Sequence, residues 1–138
     1  MDIRNITEDF AVSPQIAPED IPAIKTAGFR SILCNRPDDE DYGQPSQDAV
    51  AQAAQAAGLE MRWVPIVSGM VTPDAADAFR AALDEMPGPI LAYCRSGTRC
   101  TMLWSLTKFD DLGGARIVDA TRAAGYDMSG LVRQLERR

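Results

Sequence analysis

The sequence predicts an α/β fold of three layers, a central and mostly parallel five-stranded sheet with helices on both faces. Three observations predict it. Short apolar or β-branched runs alternate with helix-forming stretches, Gly or Pro punctuates most junctions, and the run Pro89-Ile90-Leu91-Ala92-Tyr93 ends in a polar loop that opens a helix. Strands that alternate with helices pair in parallel through right-handed crossovers, and such sheets place their sites at the carboxyl ends of the strands. With 138 residues, 46% of them hydrophobic, the chain reads as one domain over 1–138, able to form a core without staples.

Each element has a local reason. Residues 3–6 and 10–13 read as short strands separated by a Thr7-Glu8-Asp9 turn, paired as a hairpin at one edge. Residues 18–27 read as a helix, because Pro18, Glu19 and Asp20 suit a first turn and Gly28 stops it. A buried strand over 29–34 ends at Cys34, followed by a polar, turn-rich loop over 35–44 and an alanine-rich helix over 45–57 that Gly58 closes. The next strand is 59–66. Thr72-Pro73-Asp74 caps a helix that runs to about residue 86, and Pro87-Gly88-Pro89 turns the chain into the strand that carries Cys94. Residues 100–109 form the helix behind that loop, and helices at about 115–124 and 128–137 close the chain, with Gly125-Tyr126-Asp127 between them.

Charge and composition narrow the function. The net charge of −6 argues against a nucleic-acid or anionic-membrane partner, since phosphate backbones recruit excess lysine and arginine. No basic region followed by an apolar one marks the N-terminus, and no apolar run approaches the ~20 residues of a membrane span, so a cytoplasmic location is expected. Three cysteines, an odd number, point to reduced thiols rather than a disulfide framework. There is no histidine, which removes Ser-His-Asp and Cys-His hydrolases and the usual zinc and iron sites. Cys34, Cys94 and Cys100 form no CxxC pair, so no metal or other cofactor is expected.

The chemistry concentrates in Cys94-Arg95-Ser96-Gly97-Thr98-Arg99. A buried strand that ends in a tight loop opening a helix leaves loop N–H groups unpaired, and they converge on whatever sits at the helix N-terminus. The helix dipole and nearby arginines lower a thiol there from the ordinary ~8.5, making Cys94 the candidate nucleophile. A buried structural thiol is the alternative. Against it stand Gly97, which permits positive φ, the hydroxyls of Ser96 and Thr98, and the two arginines. Arg99 is expected to fold back on the loop, and Arg95 to point outward and hold an anionic substrate, with a solvated rim charge as its alternative. The loops 35–41 and 67–70 are the expected walls.

Several motifs together resemble a family. Ser13-Pro14-Gln15, Asn35-Arg36-Pro37-Asp38, Gly43-Gln44-Pro45, the stretch from Leu91 to Arg99, and Ala124-Gly125-Tyr126-Asp127 are similar to the bacterial beta-lactamase hydrolase-like phosphatase-like domains, also called DUF442. These have a dual-specificity-phosphatase-like fold and occur alone or fused to a metallo-β-lactamase-type persulfide dioxygenase. The resemblance implies a (phosphotyrosine phosphatase)-like sheet, a persulfide dioxygenase as a partner, and a pocket position for Arg36, which reads equally well as a fold-stabilising ion pair.

The loop departs from that of cysteine phosphatases, which space the nucleophile and arginine as C-x5-R. Here the spacing is C-x4-R, as in rhodanese-type sulfurtransferases, and Cys100 takes the sixth position. A shorter ring suits the terminal sulfur of a persulfide better than a tetrahedral phosphate. The stretch 65–72 also lacks the aspartate that protonates a leaving alkoxide. Asp74 reads better as a helix N-terminal charge. Thiol leaving groups, with pKa near ~8.5, need no acid.

The expected function is therefore sulfur transfer from thiosulfate or glutathione persulfide to a thiol acceptor through a Cys94 persulfide. The alternatives are a phosphatase working through a phosphocysteine and a non-catalytic anion-binding or redox-sensing module. Cys34 ends a strand expected beside that of Cys94 and is either a protective disulfide partner or a buried apolar thiol. Cys100 is a packing residue or a persulfide relay. The Asp38-Asp39-Glu40-Asp41 run reads as a solvated loop that repels phosphoproteins. Trp63, Trp104 and the methionines at 61, 70 and 102 read as core and pocket wall.

Overall fold

The computed structural model describes residues 1–137. The strands are β1 (Arg4–Asn5), β2 (Phe10–Ser13), β3 (Ser31–Cys34), β4 (Glu60–Trp63) and β5 (Ile90–Tyr93). The helices are α1 (Ile21–Thr26), α2 (Gln47–Ala56), α3 (Pro73–Glu85), α4 (Thr98–Leu112), α5 (Gly114–Ala123) and α6 (Ser129–Glu136). The strands form one sheet in the order β1-β2-β5-β3-β4. Only the edge hairpin β1–β2 is antiparallel; the other pairs are parallel. Ser13 and Cys34 both lie in register with Tyr93, so β2, β5 and β3 end level with one another.

Period-two alternation divides the interior between two faces. On β5, Ile90 and Ala92 join a core with Phe79 of α3, Leu103 and Trp104 of α4, Ile117 of α5 and Val132 of α6. Leu91 and Tyr93 join a second core with Ile16, Ile21, Ile24, Val50 and Ala54. Every residue of β5 is buried, as a central strand covered on both faces requires. Phe10 stacks on Trp104 at 6.1 Å between centroids and meets Phe79 edge-on at 6.2 Å, locking β2 to α3 and α4. The three-layer α/β architecture is the one predicted.

Several boundaries move by a few residues, and three of the differences shape the site or its approaches. The stretch 18–27 begins as a 3₁₀ turn at Pro18–Asp20 and becomes α-helical at Ile21. The strand expected over 59–66 is only Glu60–Trp63; Val64 N still bonds Cys34 O in register, but Ile66 N bonds Asn35 O rather than Arg36 O, so the regular pairing is lost across Pro65. Helix α4 starts at Thr98 rather than Cys100, because Gly97 at φ 89° turns the chain directly into it. Arg99 therefore belongs to the first turn of a helix. Among the described residues no helix is long and apolar enough to cross a membrane.

Candidate active site

The level strand ends build the site. Cys94 follows β5 directly and its N–H reaches Ser13 O at 3.4 Å, while Asn35 N bonds Tyr93 O at 2.9 Å from the other side. The chain then curls through Arg95 and Ser96 to Gly97, and Gly97 N–H donates to Cys94 Sγ at 3.1 Å. The hydroxyls of Ser96 and Thr98 bond each other at 3.0 Å and brace the outer edge. Cys94 is fully buried.

This setting drives the thiol down to about 5. The neighbouring Cys100 thiol contributes most; burial opposes it; the backbone N–H groups of Cys100, Ser96 and Gly97 add to the fall. Cys100 moves the other way, pushed up by burial and by the adjacent Cys94 sulfur, so it remains protonated. At neutral pH Cys94 is therefore a thiolate held by converging donors at the head of α4.

Around it lies an ion network that the sequence only half disclosed. Arg99 donates through Nη1 to Glu40 Oε2 and Ile66 O, each at 2.8 Å, and through Nη2 to Glu40 Oε1 at 2.8 Å. Three of its N–H groups are thus committed, leaving Nε–H and one Nη2–H, a side-on fork, without a partner among the described residues. Arg36 is buried and donates to Glu40 Oε1 at 2.9 Å, Gln15 Oε1 at 3.0 Å and Asp41 Oδ2 at 2.8 Å. Arg95 is exposed, as expected of it, with Nε 3.4 Å from Asp41. The hydrogen bonds of Arg99, aided by those of Arg36, outweigh burial and hold Glu40 at about 2.

Glu40 is one residue whose role the sequence does not show. It was placed in a solvated acidic run, and its main partner lies 59 positions away, beyond any local pattern. Asp38 also leaves that run, accepting Gln47 N–H at 2.8 Å ahead of α2. The 35–44 loop is therefore a tied wall rather than a free one. Ile66, the residue before the 67–70 loop, joins it through its carbonyl on Arg99. Arg36 proves to be the centre of an ion-pair cluster with Glu40 and Asp41, as its ion-pair reading has it.

Cys34 is a different kind of thiol. It packs in the second core while Cys94 and Cys100 pack in the first, and its S–H donates to Arg36 O at 3.4 Å. Burial pushes it up from the ordinary thiol range. All three cysteines are free. Asp74 sits in the first turn of α3 beside the Thr72 cap, whose Oγ1 accepts Ala75 N–H at 3.2 Å. The carboxylate nearest the loop arginine is Glu40, which has no proton to give at neutral pH. Among the described residues, no three or more His, Cys, Asp or Glu side chains are placed to hold a metal ion.

Comparison with known proteins gives a consistent picture. A model of the phosphatase-like domain of beta-lactamase hydrolase-like proteins matches residues 2–111. A beta-lactamase hydrolase-like protein of Xylella fastidiosa is 34% identical over 139 residues, covering 99% of this chain and 32% of that protein. One from Agrobacterium fabrum is 33% identical over 134 residues. The chain thus spans about a third of the length of the curated relatives it matches, 32% and 31%. A Neisseria meningitidis structure titled as a candidate phosphatase superposes with a TM-score of 0.87 at 29% identity, covering 99% of this chain and 98% of that one. The catalytic core of a Saccharomyces cerevisiae PP-IP phosphatase shares the fold, with a TM-score of 0.69 at 19% identity, over 99% of this chain and 84% of that one.

Proposed function

We propose that this chain, which belongs to the family of phosphatase-like domains of beta-lactamase hydrolase-like proteins, is a cysteine-dependent enzyme of phosphatase type. The observation that carries the reading is the Cys94 sulfur at the head of α4, bonded by Gly97 N–H at 3.1 Å in a setting that pulls the thiol down to about 5. The thiolate attacks the phosphorus of a bound phosphoryl group, an S–P bond forms as the ester or anhydride bond breaks, and the leaving group departs with the electron pair. The phosphocysteine is then hydrolysed by water, which restores the thiolate. Loop N–H groups and the side-on fork of Arg99 meet the charge on the phosphoryl oxygens.

With Glu40 ionised, the carboxylate paired with Arg99 is not a proton source for a leaving alkoxide. The site therefore favours groups that leave as stable anions, such as aryl oxides or phosphates. Simple alkyl phosphates are then expected to be its poorest substrates.

One observation favours a second reading, sulfur transfer. The C-x4-R spacing is one residue shorter than the phosphatase ring. On this reading Cys94 attacks the outer sulfur of thiosulfate or glutathione persulfide. Sulfite or a thiolate leaves with the electron pair, and an acceptor thiolate removes the sulfur from the Cys94 persulfide. A persulfide dioxygenase is the natural consumer of a small persulfide made this way.

A side-by-side steady-state assay separates the two, using an aryl phosphate and, separately, thiosulfate with a thiol acceptor. Phosphate release that falls at least about a thousandfold in Cys94→Ser supports the first reading. Cys94-dependent sulfur transfer without phosphate release replaces it with the second.

A further inference from the structure

The turn between α5 and α6 carries Gly125-Tyr126-Asp127, which neither reading of the reaction uses. Tyr126 Oη lies 3.0 Å from Ser96 O and donates to it. That carbonyl belongs to the same peptide plane as Gly97 N–H, which donates to Cys94 Sγ at 3.1 Å. In a trans peptide the C=O and the N–H point in opposite directions. Holding the Ser96 carbonyl outward therefore holds the Gly97 N–H inward. We propose that Tyr126 is a positioning residue of the Cys94 loop: its hydroxyl fixes the Ser96–Gly97 peptide so that the N–H stays aimed at the nucleophilic sulfur.

Independent features converge on the same contact. Gly97 has φ 89°, and a Cβ there would collide with Tyr126 Oη, so the loop and the phenol fit only without a side chain at 97. Tyr126 is itself held from two sides. Its N–H bonds Thr121 O at 2.9 Å, and the Arg4 guanidinium lies 5.4 Å from the ring centroid while donating to Ala124 O at 3.1 Å. Gly125, at φ 95°, makes room for Arg4, whose Nη1 a Cβ would strike. A strut thus runs from the edge strand β1 through Arg4 and Tyr126 to the peptide under the sulfur. Burial raises the phenol, so it remains a donor throughout the range in which Cys94 ionises.

The inference rests on Cys94 being a low-pKa thiolate and on neither choice of substrate. The test is a pH titration of the thiolate ultraviolet absorbance, wild type minus Cys94→Ser, repeated in Tyr126→Phe. Tyr126→Phe keeps the ring and loses only the hydroxyl. The Cys94 midpoint is expected to rise by about half a unit to one unit, in keeping with one lost hydrogen bond. A role confined to packing lowers thermal stability and leaves the midpoint in place, which overturns the proposal. If Tyr126→Phe does not fold, Arg4→Gln decides: a smaller shift in the same direction supports the strut, and an unmoved midpoint overturns it. Absence of a low titration in the wild type itself would instead reject the thiolate reading on which the inference rests.

Discussion

Cys34 and Cys94 sit at the ends of adjacent parallel strands, one in register with Tyr93 and the other the next residue along, and both are buried. Their chemistry is opposite. Cys34 gives its proton toward Arg36 O, whereas Cys94 receives N–H donors. Burial alone raises both thiols, as it does for Cys34. What reverses the sign at Cys94 is first the neighbouring Cys100 thiol and then the backbone amides of the turn that follows. After Cys34 the chain runs into the extended Asn35-Arg36-Pro37 segment and presents a carbonyl; after Cys94 it curls into a helix and presents amides. Reactivity here is a property of the turn, not of the cysteine's depth.

The comparison breaks most severely on the cysteines themselves. Cys94→Ser is expected to remove at least about a thousandfold of turnover with whichever substrate is used. Cys34→Ser should retain activity within about threefold and lose about 1 kcal/mol of stability for a polar group placed in an apolar core. Parallel kinetics and denaturant melts of the two variants check this. Equal losses of turnover would dissolve the distinction.

Next in size is Gly97→Ala. The substitution forces an L residue to φ 89° and into Tyr126 Oη, so it should cost about 1–3 kcal/mol and displace the amide from the sulfur. A melt together with the Cys94 titration reads both effects, and relief of part of the loss in the Tyr126→Phe background locates the collision.

Glu40→Gln sharpens the role of the wall. Arg99 and Arg36 lose a shared carboxylate, and kcat/KM should fall about tenfold as the Arg99 fork loosens. The pH dependence of stability gives a second reading. Glu40 is held near 2, below its unfolded value, so its contribution is present above the ordinary carboxylate range and lost as pH falls toward 2. Acid melts of wild type should steepen over that window, and those of Glu40→Gln should be flatter there. The smallest effect is expected at Arg95→Ala, about twofold in KM, because that side chain is exposed and only loosely paired with Asp41.

The fold was legible because its cues are local. Hydrophobic runs, Gly58 and the Thr72-Pro73-Asp74 cap act within a few residues, and the structure repeats them at α2 and α3. The helix start at Thr98 was misplaced by two residues because the turn depends on a positive φ at Gly97, which composition does not time. At the site, Cys94 and its loop were legible from spacing alone. Glu40 and Tyr126 were not, since each acts through a partner from another element, Arg99 across the sheet end and Ser96 across the α5–α6 turn. Residues that shape a site through tertiary contacts leave no periodicity behind.

The measurement that bears most directly on the thiolate claim is the ultraviolet titration of wild type, Cys94→Ser and Cys34→Ser side by side. The account predicts one thiol ionising near 5 in the wild type, absent from Cys94→Ser and unchanged in Cys34→Ser. A wild type whose first thiol ionises only near the ordinary ~8.5, or a low transition that survives Cys94→Ser, would contradict it.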